Sequence, residues 1–205
     1  MSIFFIHRVC YDVSMNAILV PGRPDKDEHY DPKRTSNSED HWFSWLKRQL
    51  ILKDIHAVSI EPPFPFRPRY DEWLQEFERF DIIPDTILVG HSCGGGFLVR
   101  YLSEHKDTKV GKVVLVAPWI NPLNYEVSDT ADFFDFQIDP KFPERTKGVT
   151  VFISSDDEPS VVKTVDILED TVPTLQFKRY TNKGHFCLSD LGTQEFPELL
   201  VEVTK

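Results

Sequence analysis

The chain has 205 residues, 40% of them hydrophobic and 27% charged, which suits one soluble globular domain with a single substantial core. A formal net charge of −10 argues against nucleic acid or an anionic membrane as partner, because phosphates would be repelled. The three cysteines, Cys10, Cys93 and Cys187, are too few for a disulfide framework and lack metal-type spacing, so a reduced, cytoplasmic compartment is expected.

Residues 1–14 read as a leader ahead of the domain. Ser2 to Val9 can form an extra strand, and Met15, at the head of the first clear strand, is an alternative start. Ile3-Phe4-Phe5-Ile6 is too short for a signal-peptide core and is followed at once by His7 and Arg8. No apolar run in the chain approaches the roughly twenty residues that span a bilayer.

Asn16 to Val20 is a short apolar run stopped by Pro21-Gly22, the pattern of a buried strand. A polar loop from Arg23 to Asn37 follows. Asn37 or Ser38 is placed to cap a helix whose apolar positions Trp42, Leu46 and Leu50 fall at i, i+4 spacing with Phe43 alongside. Trp42 and Trp45 are read as core. His56 to Ile60 is a second strand, and the proline-rich stretch 61–68 after it is read as a rigid wall of a site rather than a polyproline ligand. Asp71 to Arg79 is helical, with Trp73, Leu74 and Phe77 apolar.

Thr86 to Val89 is a third strand. The stretch Gly94 to His105 carries Phe97, Leu98, Tyr101 and Leu102, the stripe of a helix lying on a sheet. Lys112 to Ala117, nearly all apolar, is a fourth strand buried on both faces. Residues 118–145 are rich in proline, aspartate and phenylalanine, with one short helix expected near Asp129–Phe136; their aromatics can be core or a lid over a pocket. Gly148–Ile153 and Thr174–Phe177 are the last two strands, flanking an amphipathic helix with Val161, Val162, Val165 and Leu168, and Pro197–Val203 closes the chain as a helix. About six strands alternating with helices predict a single three-layer α/β domain over residues 1–205, its sheet mostly parallel and its helices on both faces.

Between the third strand and its helix lies Gly90-His91-Ser92-Cys93-Gly94, a Gly-x-Ser-x-Gly pentapeptide in the strand–turn–helix setting of a nucleophile elbow. Ligands of such sheets bind beyond the carboxyl ends of the strands, so the loops there carry the chemistry. The fifth strand ends in Ser154-Ser155-Asp156-Asp157-Glu158-Pro159, and the sixth leads to Gly184-His185-Phe186. The chain order serine, acid, histidine is that of α/β-hydrolases. Serine needs an imidazole to take its proton, and the imidazole needs a carboxylate to fix its tautomer. Ser92 and His185 fill the first two roles. Asp156, Asp157 and Glu158 all lie on the right loop for the third, and spacing does not choose among them. The oxyanion donors expected are the backbone N–H of Cys93 and, because Pro24 has none, that of Arg23. His91, next to the serine, should point its side chain away. No cofactor or metal is required, and no nucleotide-binding glycine pattern follows any strand.

Ala17-Ile18-Leu19-Val20-Pro21-Gly22, the Trp42 and Trp45 helix, Gly90 to Gly95, the acid–Pro159 step and Gly184-His185-Phe186 together resemble the small α/β-hydrolases of the retinoblastoma-binding protein 9 type. The resemblance spans residues 15–200 and implies a compact serine hydrolase with a serine, aspartate and histidine triad and no large cap domain. It departs from that pattern in three places. The residue before Pro159 is Glu158, not aspartate, and counting back without gaps from Gly184-His185-Phe186 also lands on Glu158, with Asp157 the alternative. Arg23-Pro24-Asp25-Lys26 replaces a glycine-rich run, and residues 1–14 have no counterpart. The expected function is a serine hydrolase acting on a small ester, with amide or peptide bonds as the alternative substrate. The rival is a weak or inactive hydrolase fold serving as a binding module; the Leu-x-Cys-x-Glu motif associated with retinoblastoma-protein binding is absent and no protein partner is indicated.

Overall fold

The computed structural model describes residues 15–121, 123 and 132–205. The strand expected over Ser2–Val9 lies outside these, as do residues 129–131 of the helix expected near Asp129–Phe136; its described part is not helical, with 132–134 a turn and 135–136 irregular. Six strands form one parallel sheet: β1 Asn16–Val20, β2 His56–Ser59, β3 Ile87–His91, β4 Val113–Val116, β5 Val149–Ser154 and β6 Gln176–Tyr180. The helices are α1 Lys26–His29, α2 Phe43–Ile51, α3 Tyr70–Phe77, α4 Cys93–Glu104, α5 Pro159–Thr171, α6 Leu188–Leu191 and α7 Pro197–Val203.

The spatial order is β2-β1-β3-β4-β5-β6, with β1 in register beside β3 (Ile18 opposite Leu88, Val20 opposite Gly90). The chain runs outward from β1 to β2, then returns and proceeds the other way from β3. Right-handed crossovers therefore place α2 on one face and α3, α4 and α5 on the other. Contacts agree: α2 touches α7, whereas Trp73 and Phe77 of α3 set their rings against Phe97 of α4. The reversal of order between β1 and β3 opens a crevice at their carboxyl ends, where the loops after Val20 and His91 meet.

Burial explains most element boundaries. Val113 to Val116 are wholly buried in the middle of the sheet, so β4 has no polar face. At the other extreme, β6 begins two residues later than its apolar content suggests. It is an edge strand, and an edge tolerates Lys178 and Arg179 while being protected by them. The helix expected from Asn37 or Ser38 also starts late. Asn37–Glu39 is a single 3₁₀ turn, His41 has φ 53°, and α2 begins at Phe43. The would-be caps are engaged elsewhere: the Asn37 side chain donates to the Gly22 carbonyl (2.9 Å), and the Ser38 N–H donates to Glu61 Oε2 (3.0 Å).

Trp42 is fully buried and Trp45 packs against the core beside it. Phe133 and Phe142 are likewise buried in the core, with Trp73 edge-on to Phe133 at 5.0 Å, and Phe134 and Phe136 pack half-buried against that core. Of the proline-rich stretch 61–68, Glu61 lines a smaller hollow beside the crevice together with Pro24, Asn37 and Asp40, and the Phe66 carbonyl accepts from the Arg23 guanidinium (3.4 Å).

Candidate active site

Ser92 leaves β3 and caps α4 with φ 52° and ψ −122°, a conformation that costs a non-glycine residue about 1–3 kcal/mol and persists only when its surroundings fix it. They do so here through backbone bonds. The Ser92 N–H donates to the Val116 carbonyl (2.9 Å), and its own carbonyl accepts from Gly96 (3.1 Å) and Trp119 (3.0 Å). The small residues of the pentapeptide have a steric cause. A Cβ on Gly94 would lie 2.2 Å from the Val20 carbonyl oxygen, so α4 can press against the end of β1 only with glycine there. The serine faces a cleft of about 850 Å³ whose lining also includes Gly22, Arg23, His41, His185 and Cys187.

His185 follows β6 on a loop flanked by two left-handed residues, Gly184 (φ 48°) and Phe186 (φ 58°). Its Nδ1 faces both carboxylate oxygens of Asp157, at 2.9 and 3.1 Å. The Asp157 side chain is completely buried and also accepts the Glu158 N–H at 2.7 Å. Glu158 itself is exposed and stands at the cap of α5 with Pro159 as the first helical residue. Asp156 is exposed as well. It takes the Ser154 hydroxyl and the Gly184 N–H, tying the acid loop to the histidine loop. Of the three candidate acids, then, Asp157 meets the imidazole and Glu158 does not. The Asp157 N–H bonds back to the Ser154 carbonyl (3.2 Å); this turn aims Asp157 inward and leaves Glu158, the residue the gap-free count points to, at the start of the helix.

The opposite side of Ser92 is built from β1 and α4. Cys93 occupies the first helical position, where its N–H has no partner within the helix and points with the positive end of the helix dipole. Burial pushes the Cys93 thiol upward and keeps it protonated, which suits a packing role and not a nucleophile. A Cβ on Gly22 would come within 3.0 Å of Ser92 Cβ, so the Gly22–Arg23 peptide runs directly beside the serine. Asn37 holds that peptide by its carbonyl; in a trans peptide the Arg23 N–H then faces the other way. The Arg23 side chain is turned aside toward Asp25 (3.5 Å) and the Phe66 carbonyl.

Several neighbours were not legible as site residues. Asn37 reads as a helix cap, and Asp190, which accepts from the His185 N–H (2.9 Å) and the Cys187 N–H (3.1 Å), sits on an unforeseen one-turn helix, α6. His91 does point away from the serine, but into the side of the histidine loop. It is buried, its Nε2 lies 2.8 Å from the His185 carbonyl, and the two imidazole centroids are 4.9 Å apart. Burial holds His91 neutral, and burial also lowers His41, whose ring stands 5.7 Å from that of His91. Cys187 is raised to about 12, mainly by burial. Among the described residues no group of three or more His, Cys, Asp or Glu side chains is placed to hold a metal ion, and no helix is long and apolar enough to cross a membrane.

Comparison with known proteins fits this architecture. A family model described as serine hydrolase matches residues 33–205. The chain belongs to the serine hydrolase family. Among its members' kin, YdeN of Bacillus subtilis (strain 168), named as a hydrolase, is 29% identical over 171 residues, 79% of this chain and 86% of that protein. The rat serine hydrolase RBBP9 is 24% identical over 188 residues, 90% of this chain and 91% of its own. The crystal structure of YdeN superposes with a TM-score of 0.73 over 93% of this chain and 96% of that one, at 23% identity. Est1E of Butyrivibrio proteoclasticus with bound ferulic acid shares the fold at a TM-score of 0.60 and 11% identity, over 93% and 90% of the two chains. This serine hydrolase thus has the parallel-sheet hydrolase fold, and the family match begins after the Gly22–Arg23 segment.

Proposed function

We propose that this serine hydrolase cleaves a small carboxylic ester through an acyl-enzyme on Ser92. The observation that carries the reading is the buried Asp157 carboxylate on His185 Nδ1, with Ser92 and His185 lining one cleft. With Nδ1 holding its proton toward Asp157, Nε2 keeps a lone pair to take the proton of Ser92 as its Oγ attacks the substrate carbonyl carbon. The oxyanion that forms is met by the N–H groups of Cys93 and Arg23, two donors fixed before reaction. Collapse breaks the ester bond and the leaving alkoxide takes the proton from His185. Water activated by the same imidazole then releases the acid and regenerates Ser92. An amide bond fits the same steps with a poorer leaving group, which favours an ester as the substrate. Free thiols at Cys93 and Cys187 suit a reducing compartment, the cytoplasm.

A fluorophosphonate probe tests the reading, since it reacts with an activated serine whatever the natural substrate. The wild-type protein should label on Ser92, and Ser92→Ala should not label at all. Absence of labelling in the folded wild type sinks the mechanism and leaves the binding-module alternative.

A further inference from the structure

We propose that His91 and Trp42 form a clamp that holds the strained His185 loop in its working shape, with His91 as a positioning residue. This inference rests on His185 serving as the base of the hydrolase.

The histidine loop stores strain. Phe186 is a bulky residue at φ 58° and immediately follows the imidazole that must be placed. Such a residue relaxes toward ordinary backbone angles unless its neighbours over-determine it. The loop's two consecutive carbonyls are both held by ring N–H donors from buried side chains. His91 Nε2 meets the His185 carbonyl at 2.8 Å, and Trp42 Nε1–H donates to the Phe186 carbonyl at 3.2 Å. A carbonyl only accepts, so the His91 proton is on Nε2. The two donor rings are themselves in edge contact, with centroids 5.7 Å apart, and both are buried. On the loop's other side Asp190 accepts the His185 and Cys187 N–H groups.

His91 is tied to the rest of the machinery at both ends. It precedes Ser92 in the chain, so elbow and base loop share one rigid connection. Its Nδ1 is buried with no hydrogen-bond partner among the described residues and lies 3.5 Å from where a Cβ of Gly22 would stand, so the ring also packs against the segment beside the oxyanion position. Removing the Nε2 donor should let the loop relax, leaving His185 correctly placed in a smaller fraction of molecules. That lowers kcat while substrate binding in the cleft is kept.

Side-chain geometry gives a discriminating test. The amide nitrogen of glutamine reaches the place of histidine Nε2; that of asparagine reaches only the place of Nδ1. His91→Gln should therefore stay within about five-fold of wild-type kcat, while His91→Asn and His91→Phe fall by about thirty-fold or more, with KM changed less than three-fold in all three. In parallel, backbone hydrogen exchange over residues 183–188 should quicken about ten-fold in His91→Asn and His91→Phe but not in His91→Gln. Equal rates and equal exchange for Gln and Asn overturn the clamp, as does wild-type kcat in His91→Phe. Should the wild-type protein fail to react with fluorophosphonate, the hydrolase reading falls by itself. Exchange then still decides the clamp, and unchanged protection of 183–188 in His91→Phe overturns it.

Discussion

Asp157→Asn is the substitution whose outcome follows most directly from geometry. Asp157 has two jobs for one carboxylate: Oδ1 accepts the Glu158 N–H at 2.7 Å, and both oxygens face His185 Nδ1. An asparagine must keep its oxygen for the Glu158 N–H, since a buried backbone donor left bare costs about 1–3 kcal/mol. Its NH₂ then faces Nδ1, which has to offer a lone pair, and the imidazole proton moves to Nε2. That is the atom needed to receive the proton of Ser92. A wrong-tautomer imidazole with intact packing costs about 10³–10⁴ in kcat, or roughly 4–5 kcal/mol in the barrier. Stability should not suffer: replacing a buried carboxylate by its neutral isostere removes a desolvated charge, so Tm should hold or rise. Glu158→Gln is the internal control, because its side chain is exposed at the helix cap, and kcat should change less than two-fold. The assay is steady-state hydrolysis of a short p-nitrophenyl ester with thermal unfolding on the same samples. Loss of activity in Glu158→Gln with Asp157→Asn near wild type would refute the argument, and with it the whole placement of the acid.

Gly22→Ala should retain the fold but lower kcat by ten-fold or more, read in the same ester assay, because the new Cβ would press on Ser92 Cβ from 3.0 Å. Asn37→Ala frees the Gly22 carbonyl and with it the orientation of the Arg23 N–H; a fall of about 10²-fold in kcat is the size expected for one oxyanion donor, and an unchanged rate removes Arg23 from that role. Away from the site, Glu202 is buried between Lys112 (2.8 Å) and Lys205 (2.8 Å), and accepts the Thr150 hydroxyl (2.8 Å), which holds its carboxyl at about 2 against an ordinary 4.5. Because the folded value is the lower one, the stabilisation is complete above the unfolded value near 4.5 and is lost as pH falls toward 2. It amounts to about 2–3 kcal/mol after allowance for partly exposed lysines, so Glu202→Gln should lose that much in urea unfolding at pH 7 and show a flatter acid limb. His91 and His41 act in a second window: their folded values are lowered, the unfolded chain binds protons near pH 6.5 that the fold refuses, and stability should fall below that pH by up to about 1.4 kcal/mol per unit for each. His91→Gln should reduce that slope when unfolding is followed between pH 7 and 5.

How far the sequence could be read depended on the distance over which each feature is decided. β1 was legible residue for residue because five apolar residues ending in Pro21-Gly22 leave a buried strand little freedom. Ser92 was legible for the same reason, since the Gly94 approach to Val20 is a backbone requirement that only one residue type meets. β6 was misplaced by two residues because its apolar signal, Leu175 and Phe177, straddles the true start of an edge strand that needs no apolar run. The late start of α2 reflects competition: Asn37 has the chemistry of a cap and uses it on Gly22, 15 residues earlier.

The acid shows the limit most sharply. Asp157 and Glu158 differ by one position and one methylene; spacing does not choose between them, and the family resemblance points to the residue next to Pro159 with Asp157 as the alternative. What selects Asp157 is a turn closed by Ser154 and a helix that begins at Pro159, so that the residue before the proline is spent on starting the helix. The same holds for His91, whose partner is 94 residues away across the crevice. Residues that react are conspicuous in a sequence because chemistry restricts their type. Residues that aim them are restricted only by shape, and they become visible when the strained loop of His185 is seen held by donors drawn from β3 and from the approach to α2.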